Sequence, residues 1–167
     1  MAHEIGAFMA GPHLKLQPGT NGQIITDTGV SFGGGEQLLK NHAGYTGSGV
    51  YRGTAAVSTT NNTATVIKAI AVPLGYGISV RARVLGFQDD GTDASTYTLI
   101  GAATNNAGTT AMKGTALYQV VESNASCDCT ITANDTDDTV EIKVTGITAE
   151  NYAWICEYQY LLVKTSA

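Results

Sequence analysis

Charge is what this sequence has least of. Only 14% of its 167 residues are Asp, Glu, Lys or Arg, against roughly 25% in ordinary soluble domains. A surface so poor in charge is covered by Thr, Ser, Asn and Gly instead, which suits a protein held in a permanent assembly. The charge that remains is acidic, with a net value of −5. A surface that tracks phosphates needs a basic field, so no nucleic-acid partner is expected. An anionic membrane surface is disfavoured for the same reason. Long apolar runs are missing too, so no segment is expected to span a bilayer. Met1-Ala2-His3-Glu4 lacks the basic start of a signal peptide, and Gly11-Pro12 cuts the weakly apolar stretch around it. The expectation is a chain made and assembled in the cytosol.

Cysteine is scarce and odd in number: three residues, with no framework spacing. Cys127 and Cys129 stand at i and i+2 and point the same way from one strand, as small buried hydrophobes in a reducing compartment do. Cys156 lies on another strand and can approach them across a sheet; a single bridge is open but not implied. No Ser or Cys sits in a nucleophile elbow or a Cys–His context. Gly33-Gly34-Gly35-Glu36 lacks the Lys-Ser/Thr of a phosphate loop. His3, His13 and His42 share no short ligand spacing. No catalytic residue, cofactor or metal site is therefore expected, and the chain reads as a non-enzyme. Long helical periodicity is absent as well, which excludes α/β architectures.

What the sequence does have is alternation. In Ile78-Ser79-Val80-Arg81-Ala82-Arg83-Val84 the apolar residues fall on one side and Ser79, Arg81 and Arg83 on the other. That is the period of a strand with one face in a core. Leu85 and Phe87 then break the pattern, which suggests a bulge or strand end at Gly86. Similar segments recur at regular spacing: Val50 to Val57, Ala64 to Val72, Thr96 to Ile100, Thr110 to Met112 and Leu117 to Val121. Cys127 to Ile131 and Val140 to Val144 flank Asn134-Asp135-Thr136-Asp137-Asp138, the best hairpin in the sequence. Tyr152 to Val163 closes the series with Trp154, Cys156, Tyr158 and Tyr160 on one face. About eight strands at this spacing imply an all-β fold, a β-sandwich or jelly roll, with a closed barrel as competitor.

Residues 1–48 differ from the β-sandwich domain at 49–167. They hold all three histidines, two of the three prolines and dense turn signals, with Glu36-Gln37-Leu38-Leu39-Lys40 as their one helical candidate. Short apolar pieces lie between the breakers: Phe8, Leu14, Leu16, Ile24, Ile25, Val30 and Phe32. A free tail lacks such anchors, and a subdomain has longer periodic runs. The pattern fits an extended, Gly-rich arm that docks these residues in grooves of another chain. An irregular N-terminal part of the same domain is the other reading.

The remaining constellations have plain structural readings. Asp89, Asp90 and Asp93 around Gly91, and Asp135, Asp137 and Asp138 after Asn134, are oxygen-rich, yet neither run has EF-hand spacing. Asp, Asn and Gly are also what tight loops need. Asn61, Asn124 and Asn134 fit the glycosylation pattern, but without a secretory signal they read as turn residues. The eight tyrosines, at 45, 51, 76, 97, 118, 152, 158 and 160, suit a sugar-binding face, strand interiors and subunit interfaces alike.

Residues from Ala64 to Val163 resemble a β domain of tailed-phage virion proteins. The likeness runs through Ala71-Val72-Pro73-Leu74, Val80-Arg81-Ala82-Arg83-Val84, the Gly/Asp loop before the Tyr97 strand, and the turn at Gly108. It continues through Val140 to Val144 with Thr145-Gly146, and Tyr152-Ala153-Trp154. Members of that family occur in tail fibres, tail tips and head decorations. The resemblance implies a virion structural protein assembled in the host bacterial cytoplasm. With the small chain, low charge and Gly-rich arm, the leading expectation is a capsid decoration (cement) protein. Its arm would bridge subunits of the major capsid protein while the sandwich faces outward. The alternative is a tail, collar or fibre component, with or without host-glycan binding. A homo-oligomer is expected, a trimer first and a dimer second.

Overall fold

Alternating sequences that bury one face need a second layer to bury it against. In the computed structural model, which describes residues 37–41 and 49–164, that layer is a second sheet. The chain is an all-β sandwich. Its strands are β1 (Gln37–Asn41), β2 (Gly49–Thr59), β3 (Thr65–Ala71), β4 (Tyr76–Gln88), β5 (Ala94–Asn106), β6 (Thr109–Met112), β7 (Leu117–Glu122), β8 (Asp128–Asn134), β9 (Thr139–Thr145) and β10 (Tyr152–Lys164). The described residues contain no helix. Seven strands form one antiparallel sheet in the order β1-β2-β10-β4-β5-β6, with β7 alongside β6 on the same flank of β5. Three strands, β3-β9-β8, form the other. First and last long strands pair in the large sheet (β2 with β10), and β3 pairs with β9 in the small one, a nested arrangement close to that of a jelly roll. β5 departs from it by staying beside β4 in the large sheet.

Two local expectations are corrected. Glu36-Gln37-Leu38-Leu39-Lys40, read as a helical turn, contributes Gln37–Asn41 as an antiparallel edge strand against β2, with a register shift between Leu38 and Lys40. Five residues cannot repay the cost of helix nucleation, whereas the open edge of β2 offers hydrogen-bond partners at once. The second correction concerns Gly86. No bulge interrupts β4, which runs without a register shift to Phe87 against β5 and to Gln88 against β10. Leu85 and Phe87 keep the alternation and simply stand on the outward side. Gly86 is required by a neighbour: a Cβ built there would lie 2.2 Å from Cζ3 of Trp154.

Trp154 organises the core. Its ring is buried, its Nε1 donates to the Thr59 hydroxyl at 2.9 Å, and it stacks on Tyr152 at 5.6 Å and tilts against Tyr97 at 6.4 Å. Val80, Val84 and Leu99 from the large sheet meet Ile70, Ile142 and Val144 from the small one. Cys127, Cys129 and Cys156 are free, buried thiols. Burial, with Glu157 adding to it, pushes the Cys156 thiol up to about 12.

The turns follow from their residues. Ala107 and Gly108 both have positive φ, 55° and 80°, the two-residue loop that matches strand twist in a hairpin. Gly75, at φ 77°, occupies the third position of a turn closed by Tyr76 N–H donating to the Pro73 carbonyl at 3.0 Å.

Candidate interaction surface

The side of the large sheet turned away from the small sheet is the candidate functional surface. Its composition follows from alternation and register. β2 sends out Arg52, Thr54 and Ala56; β10 sends out Ile155, Glu157, Gln159, Leu161 and Val163; β4 sends out Arg81, Arg83, Leu85 and Phe87; β5 sends out Thr96, Thr98 and Ile100. Antiparallel pairing sets Glu157 between Thr54 and Arg83, and Gln159 between Arg52 and Arg81. All three arginines of the chain therefore converge on one patch, although they are far apart in sequence.

The electrostatics are lopsided. Arg52 Nη2 donates to Glu157 Oε1, and Arg83 Nη1 lies 3.9 Å from the other carboxylate oxygen. Arg81 has no charged partner among the described residues. Three positive charges against one negative make a local excess on a chain whose net charge is −5. Beside it runs an apolar shelf of Leu85, Phe87 and Ile155, each about half exposed (45%, 49% and 53%). Arg52, Thr54, Arg83, Leu85, Thr96, Ile155 and Glu157 line a shallow, open depression of about 670 Å³. Exposed ion pairs contribute little to stability, so the fold itself has little use for this cluster. A patch of planar guanidinium groups beside an apolar shelf has the chemistry of a protein contact.

The other sequence candidates go elsewhere. Asp135, Asp137 and Asp138 serve their own loop and its neighbour. Asp138 accepts from the Thr110 hydroxyl at 2.7 Å, Asp135 from Thr110 N–H, and Asp137 from Asn134 Nδ2 at 2.9 Å. Asp90 accepts from Thr92 N–H and its hydroxyl, which hold its carboxyl below the usual range. Asp93 accepts from Ser123 at 2.8 Å and Asn124 at 3.2 Å. Among the described residues no three His, Cys, Asp or Glu side chains converge on one point. Tyr97, Tyr152, Tyr158 and Tyr160 lie in the core, and Tyr51 stacks on Tyr160 at 4.7 Å. Tyr118 alone among the described tyrosines is an exposed side chain, so no tyrosine platform is built on the outer face. Phe8, Leu14, Leu16, Ile24, Ile25, Val30 and Phe32, the expected arm anchors, lie outside the described residues, as do His3, His13 and His42.

Sequence alternation places Arg81 and Arg83 outward but gives no sign that Arg52 and Glu157 join them. The missing information is strand order. A Glu among outward-pointing positions of β10 was the available signal, and it acquires meaning only beside β2 and β4.

No family model matches the chain, and no curated protein matches it. Among solved structures, 70% of the chain aligns with 26% of the tailspike protein of Acinetobacter baumannii phage AM24, at 6% identity and a TM-score of 0.34. The same share aligns with 22% of the tailspike protein of Acinetobacter phage vB_ApiP_P1, at 13% identity and a TM-score of 0.28. The chain thus spans about a quarter of the tailspikes it resembles. Overlaps this low are partial likenesses of strand arrangement and carry no functional argument.

Proposed function

We propose that this chain is a non-enzymatic structural module of a tailed-phage virion, in a tail or fibre, held in place by the outer face of its large sheet. The sequence resemblance to phage virion domains supports the particle. One structural observation carries the mode of action: the arginine patch and the Leu85–Phe87–Ile155 shelf, side by side and unused by the fold. A cement protein of the kind read from the sequence grips the shell through its arm and turns its sandwich to solvent. That arrangement leaves the shelf unexplained. A module packed between neighbours along a tail or fibre covers it. Capsid decoration is the second reading, supported by the low charge of the sequence, with the major capsid protein as partner.

The test has two parts. Counting copies in purified particles separates the locations: a few per particle for a tail or fibre, hundreds for a cement. Arg81→Glu and Leu85→Asp, both at exposed positions, are expected to leave a folded protein that no longer enters particles lacking it. Normal entry of both variants contradicts docking through this face.

A further inference from the structure

The free edge of the large sheet at β7 differs from its β1 edge and from the two edges of the small sheet, β3 and β8. In β1 and β3 the register shifts, between Leu38 and Lys40 and between Val66 and Lys68. β8 presents Asp128, Thr130 and Thr132. Bulges and charges are the usual protection of a strand edge against another chain. β7 has neither along Leu117-Tyr118-Gln119-Val120-Val121, and its register against β5 is unbroken. Every residue of β7 is exposed, Leu117 by 65% and Val121 by 76%. Pairing with Ile100, Thr98 and Thr96 places Leu117, Gln119 and Val121 on the outer face. Tyr118 and Val120 share the inner face with Leu99 and Tyr97, beyond the reach of the small sheet.

We propose that β7 is a self-pairing edge, whose occupant is β7 of a second copy, antiparallel about a two-fold axis at Gln119. The argument for a copy of the same chain is complementarity of register. In a continuous sheet, facing residues must point to the same side, so a two-fold pairing is centred on a residue and never between two. Centred on Gln119, Leu117 faces Val121 of the second copy and Tyr118 faces Val120, each pair on one side of the sheet. The two Gln119 amides meet at the axis, and Glu122 falls opposite Ala116. Centred on Val120, Tyr118 faces Glu122 and Gln119 faces Val121. Centred on Tyr118, Leu117 faces Gln119. The Gln119 centre alone of these sets every apolar side chain of the strand against another. The pairing closes as a dimer and joins the two outer faces into one. It extends the proposed function without depending on it, because the chain's own association is measured apart from any particle.

The experiment uses the full chain. Light scattering is expected to give a dimer at micromolar concentration, and Val121→Lys a folded monomer, checked by circular dichroism. Gln119→Cys is the register test. Paired residues across an antiparallel ladder lie about 4.5–5.5 Å apart at Cα, within disulfide reach, and the native thiols at 127, 129 and 156 are buried. Mild oxidation is expected to link Gln119→Cys into covalent dimers and Val121→Cys far less. A wild-type monomer, a dimer untouched by Val121→Lys, or equal linking by both cysteine variants overturns the proposal. If the self-association fails while Arg81→Glu still blocks particle entry, the fault lies with β7 and not with the outer face.

Discussion

The middle of the large sheet and its β7 margin are both rich in apolar strand residues and end in opposite environments. In β4 and β10 the inward positions, such as Val80, Val84, Trp154 and Tyr158, are almost completely buried. In β7 the inward positions Tyr118 and Val120 are about half exposed (45% and 48%). The difference is cover. The three-stranded sheet packs on β2, β10, β5 and β6 and leaves Tyr118 and Val120 of β7 exposed. Hydrophobic alternation therefore specifies a face to be buried, while the topology decides whether this chain or another molecule buries it.

The comparison is broken most severely at Trp154. Trp154→Ala removes the largest buried side chain and the partner of the Thr59 hydroxyl, and is expected to cost about 3–5 kcal/mol in denaturant unfolding. Gly86→Ala attacks the same place from the opposite strand by overfilling it. The added methyl meets the Trp154 ring at 2.2 Å, so a loss of about 1–3 kcal/mol is expected in the same assay. A larger effect for Gly86→Ala than for Trp154→Ala would mean that the backbones of β4 and β10 cannot yield at all.

Glu141 gives a smaller, pH-dependent effect. It is nearly buried, accepts from Asn134 Nδ2 at 2.8 Å and lies 2.7 Å from Lys143 Nζ. The Asn134 hydrogen bond first, and Lys143 after it, hold its carboxyl below the usual carboxylate range. A depressed folded-state value stabilises the fold above the unfolded pKa, and that contribution disappears as the pH falls through the folded value. Glu141→Gln is expected to lower stability by about 1 kcal/mol at neutral pH. The gap to wild type should close below the normal carboxylate range. A gap independent of pH would assign the role to packing. Val121→Lys lies at the other end of the scale: within about 0.5 kcal/mol for the isolated fold, yet decisive for self-association.

Much of this was legible in the sequence because alternation is a local signal. β8, β9 and β10 show it cleanly, and their inward residues are those the pattern names. Gly86 was misread because its reason, the Trp154 ring, comes from a residue 68 positions later. Gln37–Asn41 was misread because five residues carry no decisive period, and an open edge on β2 settled the matter. The arginine patch was hidden for a related reason. Arg52, Arg81, Arg83 and Glu157 become neighbours only through the order β2-β10-β4, which is a property of the whole chain. Asp135 and Asp138 were legible as loop residues, but their bonds to Thr110, on another hairpin, were not.

The account's central claim is that apolar side chains left bare by this fold are covered in an assembly. Hydroxyl-radical footprinting, on the free protein and on purified particles, tests it residue by residue. The core residues Tyr97 and Trp154 should resist modification in both samples. Leu85, Phe87 and Ile155 should react in the free protein and become strongly protected in the particle. Equal modification of those three in both samples would contradict the claim.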